Sequence, residues 1–423
     1  MSKSVVAIVK GKNPEKMVEE ALSLLGGVTS LIKPNSVVVV KPNAGHPFPP
    51  ETSVCTSPAV VAAVIKKLRK AQPKKIVMAE AAAIGCDTLK CFEVSGLREA
   101  AEKAGVDEII DIKREKDLIK VPIRDARSDL THVLLPRFLI EAEHIVNVPI
   151  FKTHVSMVFT CALKNIKGVV QDRVHYEMHQ TDLSAAMMDL WSVVKADLTI
   201  ADMIRPAEGY GPHHTLPTDF GCIVASKDPV AVDATICRMV GLDINKVTYF
   251  SAARERGLGN FEEDKIEIRG KPVKEVFKQL WIPYLGGFEQ WPEYHIIAEN
   301  ACSNCQALIG FTMEKLKALG EYDKNKGATI VAGRVKELPK VENPKDLILV
   351  GNCVMKYRGQ GIFAGGCPPA EPFPLWAIVD RKDYYELSDP EKTRERMNKE
   401  TEIFTKYSEE QRDKWRKAQS KKK

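Results

Sequence analysis

Cysteine is the residue whose spacing says most about chemistry in this chain. Cys302 and Cys305 form a CxxC within NACSNCQ, Cys353 ends LVGNC, and Cys367 sits in GGCPP. CxxC is the shortest spacing that lets two thiolates hold one ion or cluster. The other two cysteines follow 48 and 62 residues after Cys305. Their flanks are rich in Gly, Asn and Pro, which build tight loops able to aim a thiolate and its backbone N–H groups at a metal. Four thiolates complete the shell of a 4Fe–4S cluster or of a structural zinc. Zinc commonly draws two CxxC knuckles, whereas one knuckle plus two lone cysteines on separate loops suits the larger cluster. Pro368, directly after Cys367, resembles the Cys-Pro ending of ferredoxin ligands. The expectation is a 4Fe–4S cluster on Cys302, Cys305, Cys353 and Cys367, with zinc as the alternative. Four protein ligands leave no open iron position, which favours electron transfer over Lewis-acid catalysis.

A second group of residues is basic. VKPN places Lys41 and Asn43 at the end of an apolar run, and VPIFKTHVSMVFTCALKNIKG delivers Lys152, Thr153, His154, Thr160, Lys164, Asn165 and Lys167 before Gly168. Ammonium, amide, hydroxyl and imidazole together suit an anionic oxygen, carboxylate or phosphate. The Thr160 to Lys164 spacing predicts one helical face for both. Lys152, His154, Lys164 and Asn165 are the catalytic candidates; Lys41, Asn43, Glu80, Thr160, Lys167, Glu208 and Asp233 are candidate ligand-binding residues. Buried lysines need anions, so Glu80, Asp233 or a bound ligand should neutralise them. ADMIRPAEGYGPHH reads as a loop carrying Arg205, Glu208, His213 and His214 over a cleft. In SKDPVAVD, Asp228 reads as a helix cap, and Asp233 points inward toward one of the lysines.

The elements that must position these groups alternate. Strand candidates are 5–9, 36–40, 75–79, 145–148, 198–201 and 222–225. They are continuous Val/Ile-rich runs, as in strands buried on both faces of a mostly parallel sheet. Helix candidates are 14–25, 58–70, 91–103, 183–194 and 229–240. The fold class is α/β, a mostly parallel sheet core with a second, smaller α/β metal-binding domain and a helical tail. Residues 277–294, dense in aromatics, Pro and Gly, read as the crossing between domains. The smaller domain shows strands at 295–298, 329–331 and 347–350 and a helix at 306–319, so two of the three cysteine segments follow strand ends. The expected domains are 1–280, 281–380 and 381–423. Ser388-Asp-Pro-Glu391 and Ser408-Glu-Glu-Gln411 read as capping boxes of two exposed tail helices.

Composition bounds the rest. The chain has 423 residues, 44% hydrophobic, 28% charged, with a net charge of +6. Residues 381–423 hold 14 Lys/Arg and 10 Asp/Glu, so the remainder is close to neutral and nucleic acid is not an expected partner. No apolar run is long enough for a membrane helix, and the start lacks a signal-peptide core. The expected location is cytoplasmic, with the other six cysteines free. The expected partner is an anionic small molecule or a redox protein, and a homo-oligomer is allowed for. GxGxxG, GxxxxGK[ST], GxSxG and HExxH are absent.

VKPN, VPIFKTH with its T…LKNIKG, the Glu-Gly-Tyr-Gly-Pro segment and SKDPVAVD, in that order over residues 4–250, resemble the prokaryotic family catalogued as domain of unknown function 362. The resemblance implies an association with iron–sulfur modules and a distant similarity to the lactate racemase superfamily. This chain lacks the CxxCxxCxxxCP run of a ferredoxin insert. Two functions follow as expectations. One is an iron–sulfur redox protein acting on, or passing electrons near, an anion bound by the KTH…KNIKG cleft. The other is a non-redox isomerase or racemase-like enzyme for a carboxylate or phosphorylated substrate, with acid–base work by Lys152 and His154 and a structural zinc.

Overall fold

The computed structural model describes residues 3–283, 287–387 and 389–421. It divides into two compact units, Met1–Ile282 and Pro283–Lys423. Of the aromatic stretch 277–294, residues 284–286 lie outside the described residues. No described helix is long and apolar enough to cross a membrane.

In chain order, the first unit contains β1 (Ser4–Lys10), β2 (Val37–Pro42), β3 (Lys75–Glu80), β4 (Glu108–Asp111), β5 (Leu118–Pro122), β6 (His132–Pro136), β7 (His144–Val148), β8 (Ile150–His154), β9 (Val158–Thr160), β10 (Leu198–Tyr210), β11 (His214–Pro217), β12 (Cys222–Ser226) and β13 (Ile266–Gly270). The main sheet runs β13-β1-β12-β10-β7-β2-β3-β4, with β8 and β11 branching from β10 and β9 pairing β8. The β10-β7-β2-β3-β4 half is parallel. β12 is antiparallel to both of its neighbours, β1 and β10. The sheet is thus mixed and mostly parallel. Continuous apolar runs report burial on both faces, and that is equally met here by antiparallel strands. Two apolar clusters cover the faces, one including Val39, Val77 and Ile145, the other Val38, Val40, Ile76 and Val146. Alternate residues of the same strands thus serve opposite layers.

Two local expectations need correction. The helix expected at 91–103 is two helices, Thr88–Val94 and Leu97–Ala104, broken at Gly96 with φ +72. The loop expected at 202–214 is strand. β10 shifts register between Asp202 and Ala207, admits Pro206 there, and turns into a hairpin with β11.

The second unit carries β14 (His295–Ile297), β15 (Thr329–Ala332), β16 (Leu347–Val350) and β17 (Ile362–Ala364), all parallel and in that order. The helix Pro390–Ser420 is continuous. Its cap is Asp389, which accepts from the N–H groups of Glu391 and Lys392, while Ser388 lies outside the described residues. Ser408 caps nothing. It is buried in mid-helix and its hydroxyl donates to the Phe404 carbonyl at 2.7 Å. Nor is this helix simply exposed. Phe404 is 1% exposed, against Phe311. The Glu400 carboxylate accepts from Trp376 Nε1 at 2.9 Å, and Tyr407 donates to Glu314 at 2.9 Å.

That docking predicts that Phe404→Ala costs about 3–5 kcal/mol in the second unit. Hydrogen exchange in the helix Ser303–Ala318 should accelerate while β2 and β3 keep their protection. Unchanged exchange in that helix would show that the tail does not support the unit.

Candidate functional site

The first unit's site grows from the C-terminal ends of β2, β3 and β7. β2 ends in Lys41-Pro42 and β3 in Glu80, and both side chains are buried. Lys41 Nζ lies 2.7 Å from Glu80 Oε2. The Glu80 carboxylate also accepts from Ala44 N at 3.2 Å and Ala81 N at 3.0 Å. Burial pushes the lysine down and the carboxyl up, while their mutual charge opposes both shifts and the backbone donors hold Glu80 lower. Gly168 closes the pair from above. A Cβ there would stand 1.5 Å from Glu80 Oε1 and 2.6 Å from Lys41 Nζ, so no side chain fits. Its carbonyl accepts from Ala81 N at 2.8 Å.

An amide relay joins these strand ends to the next segment. Lys152 Nζ donates to Asn43 Oδ1 at 2.9 Å and to the Val54 carbonyl at 2.6 Å. Asn43 Nδ2 donates to Asn165 Oδ1 at 2.9 Å, Asn165 Nδ2 to Asn147 Oδ1 at 2.8 Å, and Asn147 Nδ2 to the Ala162 carbonyl at 3.0 Å. Asn165 is therefore fully engaged, which makes it a positioning residue rather than a catalytic one. Lys152 pairs across the hairpin with Thr160, and His154 with Val158. Lys152, His154 and Thr160 thus share one face, and Phe151 and Phe159 stack on the other. Val158 holds φ +67, costly for a β-branched residue, in this hairpin.

The short helical turn Ala162–Asn165 then brings Lys164, and the following turn brings Lys167. Thr160 lies in β9, so the shared helical face expected for Thr160 and Lys164 does not exist. Asp233 reaches no lysine. Its carboxylate accepts from Ala162 N at 2.8 Å and Leu163 N at 2.9 Å, anchoring the turn that presents Lys164. Glu208 is buried, accepting from Thr218 Oγ1 at 2.8 Å and Trp281 N at 2.7 Å, so it braces the β10–β11 hairpin. Asp228 caps the helix Pro229–Val240, as its position implied.

Electrostatically the cluster is lopsided. Burial, then Lys167, Lys152 and Lys41, hold the Lys164 ammonium well below its usual range. Burial brings Lys152 down to about 8 and Lys167 to about 7. His154 is pushed down by burial and by Lys164, Lys152 and Lys167, so its imidazole is neutral. Among the described residues Lys164 has no hydrogen-bond or ion partner, and Lys152 and Lys167 touch no carboxylate. Two histidines join that the motif reading missed. His179 Nε2 lies 2.7 Å from Lys167 Nζ, and His175 Nε2 lies 2.6 Å from the Lys167 carbonyl. Their signal was the i,i+4 spacing in DRVHYEMHQ.

In the second unit each cysteine segment follows the C-terminal end of a parallel strand: Cys302 and Cys305 after β14, Cys353 after β16, Cys367 after β17. Cys302 is the N-cap of the helix Ser303–Ala318. A hydrogen bond from the Cys305 thiol and backbone N–H groups at the helix start hold Cys302 below the usual thiol range; the same bond, then burial and the other three cysteines push Cys305 up. Cys367 is raised by burial and by Cys302 and Cys353. The four sulfurs therefore sense one another. Two loops are tied together at their bases. Asn352 N donates to the Gly366 carbonyl at 2.9 Å, and Gly366 N donates to Asn352 Oδ1 at 2.8 Å. Gly351, at φ +87, leaves room for Cys305 Sγ, which would stand 3.2 Å from a Cβ there.

Residues 38–238, just under half of the chain, match the family described as Domain of unknown function (DUF362). The chain is 27% identical over 248 residues to the thylakoid-associated protein sll1697 of Synechocystis sp., covering 56% of this chain and 73% of that protein. A crystal structure of a Thermotoga maritima protein aligns at 16% identity and TM-score 0.32, over 52% of this chain and 57% of that one. The lactate racemase apoprotein from Thermoanaerobacterium thermosaccharolyticum aligns at 11% identity and TM-score 0.37, over 79% and 70%. Likenesses this distant say nothing about activity.

The lysine cluster predicts a pH dependence. Well below about pH 7, Lys152 and Lys167 are protonated folded and unfolded, and their burial penalty is fully present. As pH rises, native Lys167 and Lys152 release protons near about 7 and about 8, while the unfolded chain keeps its own up to 10.5. The unfolded state then binds more protons, so stability rises with pH. Asp233, raised to about 7 by burial, opposes this only at lower pH. The urea midpoint in ligand-free buffer should therefore be higher at about pH 9 than at about pH 7.5, and Lys167→Met should flatten the slope. A midpoint that falls across that window would contradict the assignment.

Proposed function

We propose that this DUF362-bearing chain is an iron–sulfur redox protein that binds an anionic small molecule on the lysine cluster of its first unit. The observation that carries the redox part is the convergence of four thiols from three strand ends, close enough to perturb one another, with Cys302 and Cys305 hydrogen-bonded. The donor set fits a 4Fe–4S cluster: Cys302, Cys305, Cys353 and Cys367 would hold it, and Gly351 leaves the space. When bound, such a cluster supplies one-electron transfer. In the first unit Lys152, Lys164 and Lys167 bind the anion, His154 offers a neutral imidazole beside it, and Asn43, Asn165 and Asp233 hold these donors in place.

A second reading is favoured by Lys152 and Lys167, brought to about 8 and about 7 by burial. Amines in that range exchange protons near neutral pH, which suits a non-redox isomerase acting on a carboxylate or phosphorylated substrate. In that case the cysteines would hold zinc.

Protein purified without oxygen should be brown and carry about four irons and four sulfides per chain. Serine at any of the four cysteines should strip the iron, and Cys237→Ser, in the first unit, should retain it. Colourless protein holding one zinc per chain would replace the redox reading with the isomerase.

A further inference from the structure

We propose that the ligand of the lysine cluster presents a terminal phosphoryl dianion, as a phosphorylated small molecule does. This rests on the anion-binding reading above and narrows it to a chemical class. The first argument is charge. Glu80 is committed to Lys41 at 2.7 Å. Lys152, Lys164 and Lys167 remain, none in ion-pair contact with a carboxylate among the described residues. Burial holds these amines below their usual range, and an anion that binds draws protons onto them; a monocarboxylate gives a counter-charge to one protonated amine and leaves the other two without one. Uncompensated buried charge is expensive, and a dianion removes twice as much of it.

The second argument is direction. Lys152 reaches in from β8, Lys164 from the turn after β9, and Lys167 from the turn beyond it. Thr160 adds a hydroxyl on the Lys152 face of the hairpin. It is 2% exposed, and its Oγ1 has no hydrogen-bond partner. A lone buried hydroxyl among ammonium groups is a donor waiting for an acceptor. These are point donors arriving from several elements, which suits the three oxygens of a tetrahedral phosphoryl group. None of them is an arginine, whose planar fork matches a flat carboxylate in two bonds. Lys152 is only 2% exposed, so the group that reaches it is terminal rather than the diester of a polymer.

Isothermal titration of the full-length protein tests this with four probes at equal ionic strength: inorganic phosphate, glycerol 3-phosphate, malonate and acetate. Both phosphoryl probes should bind at least about ten-fold tighter than acetate or malonate. A lead for glycerol 3-phosphate over inorganic phosphate would assign the site to an ester, and the reverse order to free phosphate; either order supports the phosphoryl group. Lys164→Gln should weaken phosphate by about ten-fold or more while leaving the unfolding midpoint unchanged or higher, because Lys164 has no hydrogen-bond or ion partner to lose among the described residues. Lys167→Gln serves if that variant does not fold. Acetate or malonate binding as tightly as phosphate, or variants that bind phosphate like the parent, would overturn the phosphoryl assignment and leave the anion reading standing. No heat from any probe would overturn both.

Discussion

Lys41 and Glu80 form an ion pair that has almost no access to water, and the first unit's site is assembled around them. Both charges have left solvent, so each depends on the other and on the backbone donors at Ala44 and Ala81. Removing one partner of such a pair costs about 3–5 kcal/mol, because the survivor is left uncompensated. The pair also dictates its surroundings. Gly168 must be a glycine, its carbonyl must meet Ala81, and the segment bearing Lys164 and Lys167 is thereby seated over the ends of β2 and β3. The three-amide relay carries the constraint sideways to β7 and the β8–β9 hairpin.

The two units place their polar residues by one rule. In each, strands ending together present polar side chains at or just beyond their ends, in the first unit through the β8–β9 hairpin and the turn that follows it. In the first unit the groups are amines that burial holds below their usual range, and one carboxylate pairs with only one of them. In the second they are thiols, one of which sits at the start of a helix where anionic sulfur is favoured. Rigid strands fix where each turn begins, and the turns need only a few residues to aim a side chain.

Much of this was legible in the residues. The apolar runs marked the principal strands, and KTH…KNIKG marked the basic segment, because strand burial and charge clustering are local properties. What escaped depended on non-local pairing. β12 runs against its neighbours β1 and β10, and its sequence does not show it because burial on both faces looks the same in either direction. β10 continues past Pro206 through a register shift that only its partners β8 and β11 explain. β17 is three residues between glycines and too short to register as a period. Asp233 was read toward a lysine, but it serves main-chain N–H groups, which leave no trace in sequence. Ser408 matched a capping pattern, yet a pattern of four residues cannot tell a helix start from a helix middle. His175 and His179 were visible at i,i+4 and were passed over because nothing in the chain before them announces that Lys167 turns back toward their helix.

The position of β1 in the sheet sets a schedule for synthesis. Lys10 pairs with Cys222, and Ser4 with Ile266. The ribosome adds about 5–20 residues per second, so the strand SVVAIVK is made roughly 10–40 seconds before its first partner exists. During that interval it is an apolar edge with unpaired backbone groups and no charge between Ser4 and Lys10. Charge added within that strand would shield the waiting edge during translation, at the expense of the finished core.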